Sequence, residues 1–118
     1  AYDLVSLVFD ARRDTPVDIA KAAINRFSEA TGMEQSQLAK DIASLTVQRQ
    51  LRILGVFARL AIRENKPGYL DLMPRVWGHM AQALEAPHLS KLRTWVQSAL
   101  PPPDKRHLEK LALGQCVR

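Results

Sequence analysis

Cysteine is almost absent from this 118-residue chain: Cys116 stands alone and has no partner for an internal disulfide. That points to a reducing, cytoplasmic setting. Glycine is scarce, and its five positions (32, 55, 68, 78 and 114) are isolated, so no glycine-rich loop cradles a phosphate. The longest apolar run, 53–58, is fenced by Arg52 and Arg59 and is far too short to span a bilayer. No charged segment followed by an apolar stretch opens the chain, so no signal peptide is expected. The three histidines, 79, 88 and 107, show no metal-ligand spacing, so zinc is not expected. No two acids stand in a D-x-D or D-x-x-D pattern for magnesium, and no His precedes an Asp by two residues. As written, the chain lacks a complete catalytic set.

Positive charge is plentiful but dispersed. The net charge is +5, yet there is no block of five Lys or Arg, only pairs such as Arg12-Arg13 and Lys105-Arg106. Membrane binding is not expected, and nucleic-acid binding is the lesser reading. The 47% hydrophobic content suits a globular chain and not a disordered one.

What the chain does have is helical periodicity, nearly from end to end, with no convincing strand and no repeat. The reading is all-α, with five to six helices. Residues 2–12 are apolar almost all round, which predicts a helix buried within something larger. In "RRDTPVD", Asp14 or Thr15 can cap the next helix and Pro16 suits its first turn. Ala20, Ala23, Ile24, Phe27 and Ala30 mark one face of that helix, and Gly32 ends it. A long helix is expected over 35–63, its early face marked by Leu38, Ile42 and Leu45 and its second half, 51–62, central to the core. "ENKPGYL" is a turn. Met73, Val76, Trp77, Met80 and Leu84 then define an amphipathic helix, and Leu89, Leu92, Trp95, Val96 and Ala99 another. The prolines at 101–103 stop it, and Asp104 can cap a short last helix reaching about Leu113.

Three features bear on function. Arg52, Arg59 and Arg63 share a helix face, with Arg49 and Lys66 nearby. Such a wall suits an anionic ligand. The plainer reading is a solvated helix edge, with Arg59 paired to an acid of the first helix. Both tryptophans fall on apolar faces and read as core, whereas Tyr69, beside Gly68, reads as an exposed contact. His79 falls on the polar side of its helix and reads as a surface histidine.

Two stretches, "AYDLVSLVFDARRDTP" and "QRQLRILGVFARLAIRENKPGYLDLMPRVW", in this order and at this separation, resemble one family. They are similar to the C-terminal part of bacterial phosphotransferases of the aminoglycoside phosphotransferase and choline kinase type, nearest the branch of amino-sugar kinases acting on N-acetylmuramate and N-acetylglucosamine. The resemblance covers residues 1–103. It implies a helical C-terminal subdomain of a protein-kinase-like C-lobe, residues 104–118 being an extension, a short helix or tail. It further implies that ATP and magnesium are held mainly by residues outside this chain, where an H-x-D-x-x-x-x-N loop and an acidic metal motif would lie. The implied partners are a small-molecule acceptor and the remainder of the kinase. Asp3 would brace the catalytic loop from outside the reacting groups. Asp10, Arg12, Arg13, Arg59 and Tyr69 would line the acceptor pocket. Two departures touch that surface: Phe9 stands where a polar residue such as Gln is usual, and Asn65 replaces a turn glycine of the common R-D-G-K-P pattern. A stand-alone basic helical module that binds a partner or nucleic acid is the competing reading.

Overall fold

The computed structural model describes residues 1–114, so Cys116 lies outside the described residues. Six α-helices follow one another: α1 (Tyr2–Val8), α2 (Val17–Thr31), α3 (Gln35–Ile62), α4 (Met73–Ala83), α5 (Ser90–Ala99) and α6 (Lys105–Ala112). Short 3₁₀ turns, Pro67–Leu72 and Pro87–Leu89, precede α4 and α5. No strand occurs among the described residues, and the all-α expectation of five to six helices holds.

The 28-residue α3 is the spine. At 1.5 Å per residue it runs about 42 Å, close to the 48 Å long dimension of the molecule. It carries two separate apolar clusters. Its N-terminal half sets Leu38 and Ile42 against Leu4, Val5 and Val8 of α1, with Ile24 and Phe27 of α2 packed around them. Its later turns set Val47, Leu54 and Ala61 against Met73, Val76 and Met80 of α4, and Leu111 of α6 joins the same cluster. Residues 105–112 thus form a helix that packs by Leu108 and Leu111 on the larger core.

Several ends fall where the residues place them. Gly32 closes α2 with φ of 70°, a left-handed value that only glycine adopts without cost. Asp104 caps α6, its carboxylate accepting the His107 amide at 2.8 Å. Asn65 takes φ of 51° after α3, and the Lys66 amide reaches back to the Leu60 carbonyl at 2.9 Å.

Other expectations are corrected. The first helix stops at Val8 and does not run to residue 12. Asp10 ends it by accepting the Arg12 amide at 2.8 Å, a side-chain turn that competes with the helical ladder. Neither Asp14 nor Thr15 caps α2, whose preceding residue is Pro16 without a side-chain cap bond; Asp14 is drawn away to Arg75. Ala30 is exposed, one step off the packed face of α2. Trp95 is 55% exposed and is not core. Among the described residues the short α5 buries only Val96, which leaves the indole on its open side. In the second half of α3 only Leu54 and Ala61 are fully buried, since α4 and α6 cover one side alone.

Candidate functional site: the turn after α1 and its buried polar support

The two clusters meet at the turn that follows α1, and most of the chain's internal polar chemistry gathers there. Asp10 and Arg12 face one another across the turn. The guanidinium donates from Nε at 3.1 Å and from Nη2 at 3.0 Å to the two carboxylate oxygens. These bonds, with the Arg12 amide, pull the Asp10 carboxyl down to about 2 against the small opposing effect of burial. Asp10 is therefore a fixed anion and not a proton carrier near neutrality.

Behind the turn sits Gln50, wholly buried. On the helix its position continues the stripe of Val47 and Leu54, which is why an amide ends up inside. Its partners fix its orientation. The Oε1 atom accepts from Arg49 at 3.3 Å, and Nε2 donates to the Phe9 carbonyl at 3.5 Å and faces Nδ1 of His79 at 3.3 Å. Arg49 also donates to the Phe9 carbonyl, at 3.4 Å. That carbonyl is one left without a helical partner at the end of α1, so α3 supplies the donors that the helix lacks. His79, on α4, packs its ring 5.2 Å from that of Phe9. Its pKa is lowered, first by burial, then by the positive charges of Arg75 and Arg49, with Asp14 opposing them. The imidazole is thus kept neutral near pH 7.

A second tether lies beside it. Arg75 of α4 grips Asp14 through Nε at 2.9 Å and Nη2 at 2.9 Å, and Nη1 donates to the Ala11 carbonyl at 3.1 Å. The stretch 9–14 is therefore held by α3 through Phe9 and by α4 through Ala11 and Asp14.

The residues expected at an acceptor pocket divide. Asp10 and Arg12 are joined, and Arg13 is exposed in the same turn. Arg59 is exposed on α3 and makes no ion pair among the described residues, so the pairing expected with an acid of α1 does not form. Tyr69 is exposed as expected, but it stacks on Phe57, with ring centroids 5.4 Å apart. Asp3 sits exposed in the first turn of α1, where an acid suits the helix dipole. Arg52 and Arg63 are exposed, whereas Arg49 turns inward. His79 is half-buried and hydrogen-bonded, not a surface residue. Gln50, Arg75 and the inward role of Arg49 were missed by sequence reasoning. For Gln50 the signal existed: a polar residue in register with the apolar stripe.

Between α2, α3 and α4 these residues border a cavity of about 240 Å³ whose walls include Phe9, Ile24, Ile42, Ala43, His79 and Ala83. Among the described residues no three His, Cys, Asp or Glu side chains come together to hold a metal ion.

No family model matches the chain. Comparison with curated proteins does find relatives. The N-acetylmuramate/N-acetylglucosamine kinase of Caulobacter vibrioides is 32% identical over 107 residues, covering 90% of this chain and 30% of the relative. The protein of the same name from Pseudomonas aeruginosa is 34% identical over 101 residues, covering 77% of this chain and 29% of the relative. That of Pseudomonas putida is 38% identical over 47 residues, 39% of this chain and 14% of the relative. The chain spans about 30% of the length of the first two. The resemblance read from the sequence therefore holds: over most of its length this chain is a homologue of one part of the N-acetylmuramate/N-acetylglucosamine kinases.

Proposed function

We propose that this chain is the helical, acceptor-side part of an ATP-dependent kinase that phosphorylates a hydroxyl of an amino sugar. The carrying observation is the match of 90% of the chain to a relative whose name states that activity. The two-core helical body fits a supporting role: it holds the 9–14 turn rigidly and presents Asp10 and Arg12. Phosphoryl transfer depends on positioning and on neutralising charge as it moves. In this reading Asp10, fixed as an anion, accepts a sugar hydroxyl, and Arg12 and Arg13 place positive charge beside the incoming phosphate. Asp3 braces the catalytic loop at the head of α1, and Arg59 and Tyr69 form the outer wall.

ATP and magnesium belong to the proposal only at a distance. The described residues bring no carboxylate set together for magnesium. The nucleotide and its metal are supplied by the remainder of a kinase-like chain, of the aminoglycoside phosphotransferase and choline kinase type, working in the cytoplasm.

The test is a chimera in which residues 1–103 replace the matching segment of the Caulobacter kinase. Retained ATP-dependent phosphorylation of N-acetylmuramate or N-acetylglucosamine supports the reading. A folded chimera that binds ATP and phosphorylates neither sugar overturns it. The exposed Arg52, Arg59 and Arg63 favour one other reading, a basic module for nucleic acid. It predicts binding of duplex DNA or RNA that falls steeply with salt, and no binding at low salt removes it.

A further inference from the structure

The cavity between α2, α3 and α4 is built for a particular kind of group. Its walls are mostly apolar, with Thr46, His79 and Gln82 as the polar residues and no acid among them. Its volume is about 240 Å³. Thr46 donates its hydroxyl to the Ile42 carbonyl and Gln82 is exposed, which leaves His79 as the half-buried polar side chain of the wall. The hydrogen bonds behind its ring settle which nitrogen carries the proton.

Gln50 fixes this in two steps. Arg49 can only donate, so the Gln50 atom it meets is Oε1; the Phe9 carbonyl can only accept, so the atom it meets is Nε2. The amide nitrogen then presents its second proton to Nδ1 of His79. Nδ1 is the acceptor, and the neutral ring carries its proton on Nε2. That nitrogen has no hydrogen-bond partner among the described residues. Among the described residues no fully buried side-chain polar atom is left unpaired, so Nε2 is not sealed from solvent. The ring therefore borders a mostly apolar cavity and carries an N–H donor, with the exposed Gln82 amide beside it.

Charge around the ring sharpens the choice. Arg75 and Arg49 are positive and Asp14 is negative, but Asp14 is already gripped by Arg75. A cationic ammonium finds no counter-ion in the cavity. A neutral group that offers a carbonyl oxygen and a methyl matches both the donor and the walls.

We propose that this cavity is an acetamido subsite, in which His79 Nε2–H donates to the carbonyl oxygen of an N-acetyl group while Ile24, Ile42 and Ala43 enclose its methyl. The inference rests on the amino-sugar reading and deepens it: it gives the chain a means of selecting N-acetylated over free amino sugars. The Phe9 carbonyl joins the subsite to the turn that carries Asp10, since Gln50 bonds both that carbonyl and His79.

The test is nuclear magnetic resonance of the 118-residue chain with ¹⁵N-labelled histidine, titrated with N-acetylglucosamine, acetamide, glucosamine and glucose. N-acetylglucosamine and acetamide are expected to shift the His79 Nε2 resonance, and glucosamine and glucose to leave it in place. His79→Phe should weaken N-acetylglucosamine binding about tenfold, the worth of one hydrogen bond. His79→Gln keeps an N–H donor at the cavity and should recover most of that loss. Ala43→Leu fills the cavity from α3 without touching the polar residues and should abolish the preference for the N-acetyl group. Equal shifts from glucosamine and N-acetylglucosamine overturn the acetamido subsite but leave an amino-sugar acceptor standing. Absence of any shift at His79 also overturns it, while the chimera assay decides the kinase reading separately.

Discussion

Arg75 and Asp14, 61 residues apart in sequence, form a two-pronged ion pair at 2.9 Å, and the same guanidinium holds the Ala11 carbonyl. Asp14 is 81% exposed, so the charge pair itself adds little, about 0–1 kcal/mol. The bond to the part-buried Ala11 carbonyl adds about 1 kcal/mol more. Arg75→Ala is therefore expected to destabilise by about 1–2 kcal/mol, and Asp14→Ala by less. Arg75→Lys should recover only part, because an ammonium cannot span both carboxylate oxygens and the carbonyl. Urea midpoints of the three variants check this; equal losses for Asp14→Ala and Arg75→Ala would contradict it.

Met80 and Trp95 were expected alike as core residues and should behave oppositely. Met80 is wholly buried in the larger cluster, so Met80→Ala should cost about 2–5 kcal/mol. Trp95 is more than half exposed, and Trp95→Ala should stay within about 0.5 kcal/mol. Thermal unfolding of each variant decides. A large loss at Trp95 would mean that the indole packs against something beyond the described helices.

The contrast shows how far the sequence reaches. Periodicity located the four long amphipathic elements, and local chemistry located the end of α2 at Gly32 and the start of α6 at Asp104. Those signals act over one helical turn, within reach of a sequence pattern. Trp95 failed because an apolar face says only that a partner is wanted, not that one is present. The candidate site was half legible. Asp10 and Arg12 are neighbours in sequence, and their pairing is local. Gln50 with His79, or Arg75 with Asp14, depends on how α3 and α4 pack, which no spacing in the sequence encodes.

Acid should act on the molecule in two stages. The folded-state pKa of His79 is depressed, so below about pH 6.5, its ordinary value, the unfolded chain binds more protons than the folded one. Stability then falls as pH drops through that value and levels off below the folded pKa. Asp10, lowered from 3.8 to about 2, contributes stability above the unfolded value that is lost between those two pH values. Urea midpoints from pH 8 to pH 2 should show both steps. His79→Phe should erase the upper one and leave the lower. An unchanged upper step in that variant would assign it to another group.

Asn65 offers the sharpest local test, because sequence and backbone meet there. The sequence resemblance expects a turn glycine at this position, and the φ of 51° at Asn65 is left-handed. Asparagine tolerates that region better than any residue with an ordinary Cβ environment, since its short amide bonds locally. Asn65→Gly removes the steric cost but loosens the unfolded chain, so the two effects nearly cancel, to within about 0.5 kcal/mol. Asn65→Ala keeps the cost without the local bonding and should destabilise by about 1 kcal/mol. Asn65→Val, branched at Cβ, should lose more, because the left-handed region is a true outlier for such residues. The Lys66 amide that closes this turn onto Leu60 gives the readout: its hydrogen exchange should quicken in the order Gly, Ala, Val. Equal protection in all three would mean that the end of α3 is held by the packing of Ala61 and Leu70 and not by the turn.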